Sequence, residues 1–211
     1  TAFRPQFEEL YASLQDDGPY KPEAAAIGKR RMRNLCLGYL SALQEESTTA
    51  LAEAQYQQAT NMTDKMAAVV CLTSQDVPAR QRVLDDFYKT FEEEALVVDK
   101  WLAVQAGSHS KDVLTDVKAL LDHAAFDIKN PNKVRSLIRT FTANQLNFHR
   151  ADGAGYTFVA DQVILLDVLN PQLAARIAGA FAQWQRFDQA RQQLMIDQLV
   201  RISEVKGLSK D

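Results

Sequence analysis

The sequence predicts an all-α protein in which antiparallel helix pairs stack as a HEAT- or armadillo-like superhelical α-solenoid. Three observations carry this. Apolar residues recur at spacings of three and four along the chain, as at Phe7, Leu10, Tyr11 and Leu14 and again at Leu35, Tyr39, Leu40 and Leu43. No stretch alternates apolar and polar residues as a half-buried strand does. Two Asn-Pro helix starts, Asn130-Pro131 and Asn170-Pro171, lie 40 residues apart, the length of one such repeat.

About ten or eleven helices follow from the start and stop signals. The first carries Phe7 to Leu14. Pro22-Glu23 opens a second, reaching Gln44, and Ser47-Thr48 is read as the cap of a third that ends near Thr60. Asn61 or Thr63 starts a short helix through Leu72. Asp76 with Pro78 starts one that runs to about Glu94. Helices near 96–106 and 112–125 flank Gly107-Ser108. Others begin at Asn130-Pro131, near Tyr156 and at Asn170-Pro171, because asparagine caps well and proline suits the first helical turn. The last spans about 188–206, before Gly207.

Composition narrows the function. With 24 Lys and Arg against 27 Asp and Glu, the net charge is −3, so no broad positive field gathers phosphates and no nucleic-acid partner is expected. The longest apolar runs, Ala67–Leu72 and Val163–Leu166, fall far short of the ~20 residues a bilayer requires, and no membrane partner is expected. Cys36 and Cys71 lie within helical apolar patterns and read as buried free thiols of a reducing compartment, which makes the cytoplasm the expected location. The chain starts at Thr1 without methionine and stops at Asp211 with no closing element, which reads as a fragment of a longer protein.

The chemistry-bearing motifs are sparse. His109, His123 and His149 lack helical partners, and no Gly-x-Gly-x-x-Gly, Walker-type or Gly-x-Ser-x-Gly signature is present, so this chain is expected to hold no metal and no cofactor. His109 reads as a solvated connector residue and His123 as a packing residue. The segment Asn147–Tyr156 forms a corner whose His149 and Asp152 admit an acid–base reading. Without a nucleophile, a structural corner is favoured. Lys29, Arg30, Arg31 and Arg33 read as a solvated or domain-contacting face balanced by Glu45, Glu46 and Glu53, and Glu92-Glu93-Glu94 as a helix end in water. Trp101 and Trp184 read as core or interface anchors.

Several motifs, in order, carry a resemblance: Ala26-Ile27-Gly28-Lys29-Arg30-Arg31 with Asn34 and Tyr39-Leu40; Asn61-Met62-Thr63-Asp64; Asp99-Lys100-Trp101 with Gln105-Ala106; Asn130 to Ile138; Phe148-His149 to Gly155-Tyr156; and Asn170-Pro171-Gln172 with Ala175-Arg176. Over essentially its whole length the chain resembles the C-terminal domain of the bacterial aminopeptidase N family of zinc metallopeptidases. The resemblance implies a single helical-repeat domain over 1–211, a C-terminal fragment of a multidomain enzyme. The zinc of such an enzyme is bound by a catalytic domain outside this chain, and the fragment alone is expected to be inactive. It implies peptide substrates, the parent's own catalytic domain in cis as a partner, and a monomer. It also implies that Arg135, Gln172 and Arg176 face an enclosed substrate cavity. Without the family they read as surface residues; Gln172 and Arg176, four apart, share a helix face. If the two Asn-Pro helices belong to adjacent repeats, Arg135 and Arg176 leave neighbouring helices early and on corresponding faces. Arg139 and Asn144-Gln145-Leu146 are assigned no role. A free-standing helical-repeat adaptor is the alternative.

Overall fold

The computed structural model describes residues 2–16 and 18–210, so Thr1 and Asp211, read above as the ends of a fragment, lie outside the described residues. Among the described residues the regular structure is helical, without a strand. The contacts divide the chain into two compact units, Thr1–Lys89 and Thr90–Asp211.

The first unit holds α1 (Arg4–Ser13), α2 (Ala24–Ser41), α3 (Glu46–Gln58), α4 (Met62–Thr73) and most of α5 (Pro78–Phe91). Helix α2 is central, packing on α1, α3 and α4. Its inward face carries Cys36, Leu37 and Leu40, all at most 1% exposed. Asn61 caps α4 by accepting from the Asp64 amide at 3.0 Å, a contact worth about 1 kcal/mol. Helix α3 starts earlier than Ser47-Thr48 suggests. Glu45 is its cap, and Thr48 completes a capping box by bonding back to the Glu45 amide.

A polar network ties these helices together. The Tyr11 hydroxyl donates to Gln55 Oε1 at 2.8 Å, and Gln55 Nε2 donates to Asn34 Oδ1 and to the Asp64 carbonyl. Asn34 and Asn61 each donate to the Asp64 carboxylate at 2.8 Å. Gln55 is 2% exposed, so its amide would be costly unpaired; here both ends are satisfied. The basic cluster is not one solvated face. Arg30 turns inward to the Lys21 carbonyl and the Tyr20 ring, and Arg33 to the hydroxyl and ring of Tyr11. Two of the three acids expected to balance it are engaged elsewhere, Glu45 by Arg4 and Glu53 by Arg82.

The second unit contains α6 (Ala95–Ala106), α7 (Val113–Leu121), α8 (Pro131–Val134), a π-turn (Arg135–Arg139), α9 (Thr140–Ala143), α10 (Gln145–Phe148), α11 (Ala154–Leu169), α12 (Pro171–Ala178) and α13 (Gln189–Ser203). Short 3₁₀ turns at Gly179–Phe181 and Trp184–Arg186 lead into α13. Helix α6 packs against α7 and against the π-turn with α8 and α9; α11 packs against α12 and α13. Both Asn-Pro starts are made as expected: Asn130 accepts from the Asn132 amide and Asn170 from the Leu173 amide. Trp101 is 5% exposed and lies against His123, which packs as expected, whereas Trp184 is only half-buried. Cys36 and Cys71 are free and buried.

Candidate functional site

Arg135 stands where the helix begun at Pro131 widens. The Thr140 amide donates to the Arg135 carbonyl five residues back, which makes the π-turn, a geometry that is rare and concentrated at functional positions. Two contacts fix its surroundings. Lys133 meets Asp99 of α6 at 2.9 Å with both side chains largely buried, and one guanidinium nitrogen of Arg135 donates to Asn132 Oδ1 at 3.0 Å. The Arg135 side chain is otherwise exposed.

Gln172 and Arg176 project from the exposed face of α12, opposite Leu173, Ala174 and Ile177, which are buried. Among the described residues neither makes a hydrogen bond or an ion pair, so the guanidinium of Arg176 presents all its donors outward. The structure thus brings Gln172 and Arg176 together on one helix and sets Arg135 on another. Helix α12 has eight residues, which places Arg176 in its last turn rather than early. The two Asn-Pro helices also have different main partners, α6 for the first and α11 for the second.

The corner beside these helices is structural. His149 Nδ1 lies 2.9 Å from the Tyr156 hydroxyl, its ring stacks on Phe187 at 4.0 Å, and its carbonyl accepts from Arg191 Nε at 2.8 Å. Burial, aided by the Arg191 charge, pushes the His149 pKa down, and burial pushes the Tyr156 phenol up. Both shifts favour the neutral pair, which we assign as phenol donating to imidazole. Asp152 turns away to Arg150 at 2.7 Å and accepts from the Ala154 amide; these bonds hold its carboxyl below the usual range. The two residues of the acid–base reading therefore bond to different partners. Glycine is required at 155, where an added Cβ would lie 2.4 Å from the Phe148 carbonyl oxygen, and Gly153 has φ of 70°.

Some contributors escaped the sequence reading. Asn144, given no role, is buried and donates to the Ala106 and Ser108 carbonyls at 3.0 and 2.7 Å, closing the loop after α6. Asn132 could have been found from its three-residue spacing to Arg135 in a first helical turn. Asn144 carried the local signal of a helix cap, since its oxygen accepts from the Asn147 amide, but none for its bonds to the Ala106 and Ser108 carbonyls. Among the described residues no group of three or more His, Cys, Asp or Glu side chains could hold a metal ion. Among the described residues no helix is long and apolar enough to cross a membrane.

The fold defines an ARM-type helical-repeat domain on whose surface Arg135, Gln172 and Arg176 are exposed. The chain belongs to the family described as a domain of unknown function, DUF3458_C, ARM repeats, which matches residues 1–211, and it is homologous to the C-terminal domain of bacterial aminopeptidases N and A. Aminopeptidase N of Haemophilus influenzae is 40% identical over 96% of this chain and 24% of its own length. The Escherichia coli K12 aminopeptidase N is 35% identical over 91% of the chain and 22% of its own length. The crystal structure of Legionella pneumophila aminopeptidase A in complex with aspartic acid superimposes with a TM-score of 0.88 at 32% identity, over 95% of this chain and 25% of that one. The chain thus spans about a quarter of the length of these relatives.

Proposed function

We propose that this domain is the C-terminal accessory domain of a cytoplasmic, monomeric zinc aminopeptidase that removes N-terminal residues from peptides. On this reading the domain encloses the active-site cavity formed with the catalytic domain of the same polypeptide and helps to orient or admit the peptide. The zinc and its ligands, on this reading, lie outside the chain. The observation that carries the reading is the homology over nearly the whole chain to aminopeptidases N, joined to an Arg176 and Gln172 face that the domain leaves without internal partners.

The task of Arg135 and Arg176 is to attract the carboxylate end of the peptide while the catalytic domain holds the amino end. A guanidinium stays charged at any working pH and offers paired donors to a carboxylate. At about 10 Å the attraction is roughly 0.4 kcal/mol in bulk water and approaches 2 kcal/mol at an effective dielectric of 20, or about 2- to 20-fold in binding. Arg176→Ala in the complete enzyme should raise KM for short free peptides by about that factor and leave zinc content unchanged. KM for a neutral one-residue chromogenic substrate should scarcely move. Equal changes for both substrates, or a change in kcat alone, would replace carboxylate attraction with gating.

A further inference from the structure

We infer that the outward face of α2 is a docking surface for the part of the same polypeptide that precedes this domain, and that it receives an apolar strip carrying a carboxylate opposite Arg31. At ~100° per residue, Ile27, Gly28, Arg31, Met32, Leu35, Gly38 and Tyr39 fall in one sector of about 140°, opposite Cys36, Leu37 and Leu40. In that sector Ile27 is 49%, Met32 43% and Leu35 50% exposed, and Tyr39, 56% exposed at its edge, stacks one ring face on Phe7 of α1. A helix with one apolar face already buried and a second apolar face open has the pattern of an element covered on both sides.

The two glycines are an independent observation. Both lie inside the helix, where glycine weakens it relative to alanine, and a Cβ added to either meets nothing within 4 Å. Nothing among the described residues calls for them. A segment packed closely against the α2 backbone does, because only glycine lets a neighbour approach so near.

Charge and length choose the occupant. Helix α2 has Lys29, Arg30, Arg31 and Arg33 and no acid; Arg30 and Arg33 turn inward, while Arg31 stays exposed within the stripe without an ion pair among the described residues. A second copy of this face would bring no carboxylate to Arg31. The relatives are about four times as long as this chain, and on the accessory-domain reading further sequence of the same polypeptide precedes α1. Tethered to the unit that contains α2, it has an effective concentration in the millimolar range, at which a stripe ~18 Å long suffices.

Met32 is a native probe of this face, since peroxide converts an accessible methionine to the sulfoxide. In the wild-type full-length enzyme, Met32 oxidation followed by peptide mass spectrometry should be at least about tenfold slower than in the urea-unfolded enzyme, at every protein concentration. Gly28→Leu with Gly38→Leu, and separately Arg31→Glu, should restore most of the lost rate. Native oxidation within about twofold of the unfolded rate overturns the proposal, as does protection that grows with concentration, which marks a second copy. Protection that survives both variants overturns the close approach and the carboxylate. The inference rests on the accessory-domain reading, but the two fail separately. Oxidation at Met32 reports docking, and the peptide-specific KM of Arg176→Ala reports the cavity.

Discussion

Gly155 and Asn144 show how single residues hold the second unit together. At Gly155 the α10 carbonyls leave no room for a Cβ, and the obstacle is backbone, which cannot swing aside. Gly155→Ala should cost about 3 kcal/mol in urea unfolding, the upper end of overpacking penalties. Asn144→Ala strands two buried carbonyls and should cost about 2 kcal/mol. Gly155 was legible in the sequence as part of a corner, because two glycines and an aspartate within four residues announce a turn locally. Asn144 was legible only as a helix cap, through its oxygen accepting from the Asn147 amide three residues on; the carbonyls its amide nitrogen bonds lie 36 and 38 residues earlier in the chain, and only the tertiary fold brings them together. His149 sets a pH dependence whose sign is fixed. Its folded-state pKa lies below the unfolded value of about 6.5, so the unfolded chain takes up the proton first. The stability it contributes is full above that value and is lost as the pH falls through it. Melting followed from pH 7.5 to 5.5 should therefore show a steeper drop for the wild type than for His149→Gln, which cannot gain a proton.

At the scale of elements, helix starts were the most legible feature. Asn61, Asn130 and Asn170 each cap the helix expected of them, and Asp188 caps α13 in the same way, because the bond joins a side chain to an amide two or three residues on. Helix ends drifted further: α7 stops at Leu121 and α13 at Ser203, short of the apolar pattern. The inward turn of Arg30 and Arg33 depends on Tyr20 and Tyr11, which precede α2, and four basic residues in a row of five positions gave no hint which would turn. The Gln55 network links α1, α2, α3 and α4 through one amide. Gln55→Ala removes three hydrogen bonds from this network and should cost about 3 kcal/mol, part of it non-additive with Tyr11→Phe in a double-mutant cycle. The candidate site was legible only in part. The shared face of Gln172 and Arg176 follows from their spacing, whereas the π-turn under Arg135 has no sequence signature at all.

At the scale of the whole molecule, the fold class was the most legible property, because three-and-four periodicity and short connectors leave few architectures other than stacked helices. Both thiols of the chain, Cys36 at 0% and Cys71 at 9% exposure, belong to the first unit, and the second has none. Burial also pushes both thiols up in pKa, so neither is a thiolate at neutral pH. The chain therefore contains a one-sided clock. A thiol reagent that must wait for the protein to open will time the breathing of the first unit and stay silent about the second. Quenched aliquots should show both cysteines modified at a common rate that saturates with reagent concentration if the first unit opens as one cooperative body. Two unequal rates would divide it, with α4, which holds Cys71, opening apart from α2.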